Sequence, residues 1–318
     1  LINTAIDEKS PYTGGHCQRV PVLTMLLAEA VNETTEGPLA DFKLTDQDRY
    51  ELRIAALLHD CGKVTTPVHV VDKATKLQTL FDRIHLVDTR FEVLKRDAEI
   101  AMLKAFAAGA PRAEAEAALA DKLKQLDDDR EFLRKANIGG ERMRDEDIER
   151  VRRIASEYVW RNAAGEEVPF LDANETENLT IRAGTLTAAE REIINHHIVA
   201  TIKMLEELPW PKHLKNVPEY AGGHHERMDG KGYPKGLTRE QMSVQARMMG
   251  IADIFEALTA KDRPYKEAMK LSQALAIMEN FRNGGHIDPD LYDIFCSKGV
   301  FSRYAEQFLL SAQDDLPR

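Results

Sequence analysis

Apolar side chains recur along this chain at helical rather than strand spacing. Thr45-Asp46-Gln47-Asp48 has the form of a capping box. Ile54, Leu57 and Leu58 then predict an amphipathic helix running into His59-Asp60. Thr187-Ala188-Ala189-Glu190 opens a second helix, continued by Ile193, Ile194, Ile198, Ile202 and Leu205. Thr238-Arg239-Glu240-Gln241 is expected to open a third, carrying Met248, Ile251, Phe255 and Leu258. Asp288-Pro289 reads as the N-cap and first residue of a fourth. No stretch alternates apolar and polar residues for long with β-branched side chains, so the expected fold class is all-α.

The texture changes between residues 77 and 179. Leu80, Ile84, Val87, Phe91 and Leu94 form one apolar face, and Gly109-Ala110-Pro111 breaks it. Leu119, Leu123, Leu126 and Phe132-Leu133 then recur at heptad-like spacing up to Asn137-Ile138-Gly139-Gly140. A further helix is expected from Asp145 to Trp160, and a polar loop from Arg161 to Asn178. The run Asp127-Asp128-Asp129 reads as a solvated helix face, because consecutive side chains diverge around a helix. The organisation this implies is a first part at 1–76, a helical insertion at 77–179, a hairpin plus a helix, and a remainder at 180–318.

Composition narrows the function. Of 318 residues, 43% are hydrophobic and 30% charged, enough for a core and a charged surface. No apolar run approaches the roughly 18–20 residues that span a bilayer. The start, Leu1-Ile2-Asn3-Thr4, lacks the basic flank and apolar core of a secretory signal. Cys17, Cys61 and Cys296 are odd in number and without C-x-x-C spacing, which argues against a disulfide framework or a cysteine zinc site. A cytoplasmic setting follows as the expectation. The net charge of −10 disfavours a nucleic-acid polymer as partner, which would need a basic stripe. It leaves room for a small anionic substrate, because divalent metals reverse the field locally. A chain that begins at Leu1 and almost at once enters a motif is expected to be the catalytic portion of a longer signalling protein.

The chemistry gathers in a few short stretches. His224-His225-Glu226-Arg227-Met228-Asp229-Gly230-Lys231-Gly232-Tyr233-Pro234 stands out, with the pair His59-Asp60 and the isolated Asp253 inside an apolar run. Ala55-Ala56-Leu57-Leu58 leads straight into His59-Asp60, so the pair emerges from a buried helix. Charge is costly there unless it is paired or metal-bound. Imidazoles suit zinc, iron, nickel or manganese, and carboxylates can bridge two such ions. With His16 and His197, these residues read as a two-metal centre for phosphate-ester hydrolysis. The lone His69, His85, His213 and His286 read as surface or helix-end residues.

The order and spacing of these blocks resemble the HD-GYP domain of the HD superfamily. The resemblance rests on His59-Asp60 with Gly62-Lys63, His197 behind Leu186-Thr187-x-x-Glu190, and His224-His225-Glu226-x-x-Asp229-Gly230-x-Gly232-Tyr233-Pro234. Ala252-Asp253-x-x-x-Ala257-Leu258-Thr259 with Arg263-Pro264-Tyr265 completes it. It covers about residues 10–76 and 180–318. It implies an HD-type helical bundle and a phosphodiesterase that converts cyclic di-GMP to linear pGpG and onward to GMP. Cyclic GMP-AMP is the close alternative substrate, and a non-catalytic dinucleotide receptor the alternative class.

The resemblance also implies roles. His16, His59, Asp60 and Asp253 would hold one metal. Asp60 would bridge to a second held by His197, His224 and His225, and a bridging water would be the nucleophile. Asp60 and Lys63 are the catalytic candidates; Lys63, Tyr233, Arg263 and Lys266 are the substrate-binding candidates. His197 is preferred to His196 from its place after Glu192-Ile193-Ile194 and before Met204-Leu205. Iron or manganese would suit the ligands, with zinc or nickel admitted. Two departures stand out. Tyr12 occupies the position where some relatives place a glutamate for a third metal, and the 77–179 segment is far longer than usual. That segment could cover the site, form a homodimer interface or carry a signal, and a sensory domain would lie upstream.

Overall fold

The computed structural model describes residues 2–140, 142–261 and 268–316. The described chain is helical apart from one two-stranded ribbon. In order, α1 (Ile2–Lys9), α2 (Pro11–Asn32), α3 (Asp46–Leu58) and α4 (Val68–Val71) are followed by the hairpin helices α5 (Ile84–Ala107) and α6 (Arg112–Asn137). Then come α7 (Asp145–Glu157), the antiparallel strands β1 (Val159–Arg161) and β2 (Glu167–Pro169), and α8 (Ala173–Leu179). The chain ends with α9 (Ala188–Glu206), α10 (Val217–Gly222), α11 (Val244–Thr259), α12 (Leu271–Asn283), α13 (Pro289–Ser297) and α14 (Val300–Phe308). None of these helices is long and apolar enough to cross a membrane. The residues divide into two compact units, Leu1–Val71 with Glu192–Arg318, and Asp72–Arg191.

The first unit is built around α11. Met248, Met249, Ile251, Ala252 and Phe255 are fully buried, so this helix is apolar nearly all round and belongs in the middle of the bundle. It packs on α2, which contributes Val20, Leu23 and Leu27, and on α12 and α13. Burying each such side chain contributes about 1.5–3 kcal/mol. That term lets the same helix carry Asp253 and Glu256 into the interior, where each needs a partner. The expected caps form at Thr45, Thr187 and Asp288. The Asp288 carboxylate accepts from the Asp290 and Leu291 amides at 2.9 and 3.2 Å.

The predicted start of α11 is corrected. Thr238 and Gln241 cap only a single 3-10 turn, because Met242 turns extended and buries its side chain. The helix begins at Val244, where Ser243 Oγ accepts from the Ala246 amide at 3.1 Å.

In the second unit Val87 and Phe91 of α5 face Leu126 and Leu133 of α6, and Val151 and Ile154 of α7 join the same core. Phe91 and Phe170 meet edge to face at 4.6 Å between ring centres. Four expectations change here. Leu80 is 93% exposed and precedes the helix it was expected to line. Asp129 is buried, held by Arg150 at 2.8 Å and by the Tyr158 hydroxyl at 2.7 Å, because a 100° step per residue turns it inward while Asp128 stays out. The predicted helix through Trp160 stops at Glu157, and the predicted loop holds a ribbon and α8. Strands of three residues are too short to leave an alternating pattern, and Gly165, at φ +82°, makes the turn between them.

Candidate metal centre

The site begins at the end of α3. His59 follows the last helical residue, the backbone leaves the helix at Asp60 (φ −106°, ψ 13°), and a 3-10 turn runs over Cys61–Thr65. Both side chains therefore emerge where the helix stops. Gly62 then fixes α9 against this turn. Its amide donates to Thr201 Oγ1 at 2.8 Å, and a Cβ on Gly62 would stand 2.0 Å from the His197 carbonyl oxygen. That close approach brings His197 beside Asp60. The end of α10 leads into His224-His225. α11 passes close enough that a Cβ on Gly250 would stand 3.1 Å from the His224 carbonyl.

All seven residues expected as metal ligands come together. They form two sets, His16, His59 and Asp253, and Asp60, His197, His224 and His225; within each, donor atoms lie within 4.8 Å of one another. His16 Nε2 is 3.0 Å from Asp253 Oδ1 and 3.2 Å from His59 Nε2. Asp60 stands between the sets. Its Oδ2 is 3.3 Å from Nε2 of both His16 and His59, and its Oδ1 is 3.2 Å from His197 Nε2. The His197 Nε2 is in turn 3.2 Å from His225 Nε2. Donors about 2.0–2.2 Å from a shared cation stand about 3 Å apart, so these separations match the edges of coordination polyhedra.

The histidines are held by their other nitrogens. The Nδ1–H of His59, His197 and His224 donates to the carbonyls of Ala56 (2.8 Å), Ile194 (2.5 Å) and Ala221 (2.6 Å), each three residues back. His16 Nδ1 pairs instead with Glu256, which is fully buried and accepts from Arg19 Nε at 2.6 Å. All four rings thus present Nε2 to the centre, the arrangement that outer partners impose on metal-binding imidazoles.

Two buried polar atoms test whether a cation fits. Asp60 Oδ1 and His224 Nε2 make no hydrogen bond, although His197 Nε2 lies 3.2 Å from the former, because the His197 proton is on Nδ1, given to the Ile194 carbonyl. Leaving such atoms unsatisfied costs about 1–3 kcal/mol each, a penalty a coordinated cation would remove. The donor set fits a metal.

Protonation agrees. Burial, then the neighbouring imidazoles of His225 and His59, drives His224 well below its ordinary pKa, and burial takes His225 down to about 4, so both offer neutral rings. Asp60 and Asp253 are held well below the carboxylate range despite burial, Asp60 chiefly by Lys63 and His59, Asp253 by hydrogen bonds to His16 and His59. Burial opposes charge on His16 and His59. Hydrogen bonds to Asp253, Asp60 and Glu256 nevertheless raise His16, and Asp60 takes His59 up to about 9. Metal binding would displace those protons.

Beside the second set lies a cavity of about 450 Å³ whose lining includes His224, His225, Asp253 and Tyr233. Tyr233 stacks on the His225 ring at 4.8 Å and 21°. Its loop requires Gly232, where a Cβ would meet the Arg227 amide nitrogen at 2.4 Å. Buried Glu226 braces the loop by accepting from the Lys235 and Leu237 amides at 2.7 and 2.8 Å. Lys63 Nζ lies 2.6 Å from Asp60 Oδ2. His196 is exposed while His197 is buried, and His69, His85 and His213 are exposed. Arg263, Lys266 and the side chain of Tyr12 lie outside the described residues.

Sequence reasoning missed several groups. His286, read as a surface or helix-end residue, follows the end of α12, is half-buried and lines the cavity with Arg227 and Lys231. Glu256 and Arg19 were given no role in the site. A signal existed for both: each stands three residues after a candidate ligand, Asp253 and His16, and so shares its helix face.

Comparison with known proteins fits this geometry. HD domain family models match residues 13–149 and 173–291, and all seven residues fall inside those segments. The chain is 26% identical over 287 residues to the 3'3'-cGAMP-specific phosphodiesterase 3 of Vibrio cholerae, an alignment covering 90% of this chain and 35% of that protein. It is 42% identical over 78 residues to the 3'3'-cGAMP-specific phosphodiesterase 1 of the same organism, covering 24% of this chain and 18% of that protein. It is 36% identical over 114 residues to a cyclic di-GMP phosphodiesterase of Pseudomonas aeruginosa, covering 36% and 26%. These alignments span about a third or less of the relatives' lengths. With an His-Asp pair at a helix end, an all-helical first unit and two HD domain matches that enclose every residue of the cluster, the chain belongs to the HD domain family.

Proposed function

We propose that this chain is a metal-dependent phosphodiesterase that opens a cyclic dinucleotide, hydrolysing cyclic di-GMP to linear pGpG and onward to GMP. The observation that carries the reading is Asp60, whose two oxygens face two separate histidine sets. In this reading His16, His59, Asp60 and Asp253 hold one divalent cation, and Asp60, His197, His224 and His225 hold a second. Such a pair would supply an activated water and neutralise the phosphoryl oxygens in an in-line displacement. Iron or manganese suits the donors, with zinc or nickel able to enter.

The chain's own residues do the rest. Asp60 keeps the two sets at fixed separation, and Lys63, 2.6 Å from it, places a cation beside the reacting phosphate. Arg227 and Lys231 offer charge to the second phosphate from the cavity wall. Tyr233 locks His225 by stacking and forms the edge of the substrate site. We read the helical insertion at 77–179, which falls within the Asp72–Arg191 unit, as adjusting access, association or regulation rather than chemistry, since the seven residues all lie in the other unit.

The test is turnover of cyclic di-GMP and 3'3'-cGAMP side by side on chain whose metals are counted by elemental analysis. Faster cleavage of 3'3'-cGAMP would favour the second substrate, a reading supported by the relative aligned over 90% of the chain. Metal-loaded chain that binds either dinucleotide without cleaving it would replace the enzyme by a receptor.

A further inference from the structure

The Asp72–Arg191 unit contains a cavity of its own, of about 400 Å³, within the range of small-molecule sites. Six cationic side chains line it: Lys76, Lys135, Arg142, Arg144, Arg150 and Arg182. Asp147 is the single carboxylate among the described lining residues. In a chain of net charge −10 this concentration is the reverse of the average surface. Arg144 is taken by Asp147 at 2.9 Å, Arg150 by Asp129 at 2.8 Å and Arg182 by Asp145 at 2.6 Å. Among the described residues, Lys135 and Arg142 have no side-chain ion pair or hydrogen bond, and both are exposed at the cavity mouth.

Lys76 sharpens the point. The residue is only 3% exposed, and its ammonium reaches no carboxylate, only the Met143 sulfur and the Leu179 carbonyl, each at 3.2 Å. No carboxylate touches this buried ammonium, Asp147 acting on it only from a distance, and burial lowers its pKa to about 8. Nothing in the reaction proposed above uses this residue. The cavity also offers apolar surface: Ile138 is 57% exposed, and the Arg150 guanidinium lies 4.3 Å over the Phe132 ring.

We propose that this cavity binds the phosphate group of a small organic phosphate, with a nucleoside monophosphate as the fitting class. Lys76 is the buried counter-charge, Lys135 and Arg142 are the rim, and the Ile138–Phe132 surface takes the base. A dianionic phosphate matches three unpaired cations better than a carboxylate does. The site lies among residues of the second unit and goes beyond the reaction proposed for the first.

The experiment uses the full metal-loaded chain and follows hydrogen exchange of the Ala136–Gly140, Met143 and Arg182 amides with GMP, guanosine or inorganic phosphate added. GMP is expected to protect these amides saturably and guanosine to leave them unchanged. Protection around His224 reports product binding at the metal centre separately. Protection by inorganic phosphate equal to that by GMP would support the phosphate site and assign it to the free ion. Lys76→Met is expected to raise the apparent Kd at these amides at least 10-fold. Lys135→Ala with Arg142→Ala, both at exposed positions, should do the same if the buried change prevents folding. No protection by either phosphate compound at millimolar concentration would overturn the proposal. So would protection by guanosine, or a GMP effect that survives the rim variant.

Discussion

Replacing Gly62 by alanine probes the contact that sets the two halves of the centre at their distance. The new Cβ would stand 2.0 Å from the His197 carbonyl oxygen, 2.6 Å from the Thr201 amide nitrogen and 2.7 Å from Thr201 Oγ1. Two of these atoms are backbone in the middle of α9, so no rotamer change relieves them. The turn and the helix must part by about 1 Å or more before the contact becomes tolerable, an overpacking that costs about 1–3 kcal/mol. In a unit of this size that lowers the melting temperature by roughly 2–4 °C per kcal/mol. The function should suffer more than the fold. A displacement of about 1 Å at a catalytic constellation costs about 100-fold in rate. His197 moves with α9 while His16, His59 and Asp253 lie on other elements. Gly62→Ala is therefore expected to melt several degrees lower and to turn over cyclic di-GMP about 100-fold more slowly. It should lose metal from the His197 set before the His16 set. Adding Thr201→Ala removes the 2.7 Å contact but leaves the 2.0 Å backbone clash, so the double variant should not recover. A Gly62→Ala protein with wild-type melting, two metals per chain and wild-type turnover would refute the account of how α9 is placed.

Three further outcomes follow from contacts described above. Glu256→Gln removes the buried carboxylate that holds His16 Nδ1, and metal affinity measured by chelator competition should fall about 10–100-fold, with unchanged affinity ruling out that positioning role. Asp60→Asn should lower metal content below one ion per chain by elemental analysis, since one side chain faces both sets; retention of two ions would show that it does not bridge. Asp288 is fully buried between Arg239, at 2.9 Å, and Arg247, so Asp288→Asn should destabilise by about 1.5–3 kcal/mol at neutral pH, Arg239 keeping Asp290 as a partner. Despite burial, hydrogen bonds from Arg239 and the Leu291 amide, with the Arg247 charge, hold its folded pKa below the ordinary range. Its contribution is thus full above the unfolded carboxylate pKa of about 3.9 and fades as pH falls through the lower folded value. In denaturant melts the gap between the two proteins should begin to close only below about pH 4 and vanish below the folded pKa, and a pH-independent gap would sink the ion-pair explanation.

The ligand-type residues were legible because chemistry made them conspicuous against the apolar pattern. Asp253 sits in a helix whose neighbours Met249, Ile251, Ala252 and Phe255 are all fully buried, and His59-Asp60 follow buried Ala55 and Ala56. A charge in such a place demands a partner, and several such charges in one chain demand the same one. The adjacent pairs were the better clue, because neighbours on a regular helix point about 100° apart. His59-Asp60 and His224-His225 each lie where a helix ends, which lets both members of a pair face one point.

What stayed hidden depended on distances between segments rather than on any local pattern. Gly62 reads from sequence as a helix stop, yet its decisive role is steric, against a carbonyl 135 positions on in α9. Glu256 looks like one more charge on a helix until Arg19 and His16 are seen closing around it. Lys76 leaves no mark at all in the pattern, since an isolated lysine is ordinarily solvated. The same physics governs all three. A position that tolerates only glycine, or a charge that tolerates burial, is specified by what another segment places beside it. The seven ligand-type residues announce a cation because each brings its own chemical need into the apolar core. Glu256 instead answers the need of His16, and nothing in its own stretch of chain records that debt. Substitutions at such answering positions are therefore the sharper test of the site, since they perturb geometry while leaving every ligand-type side chain in place.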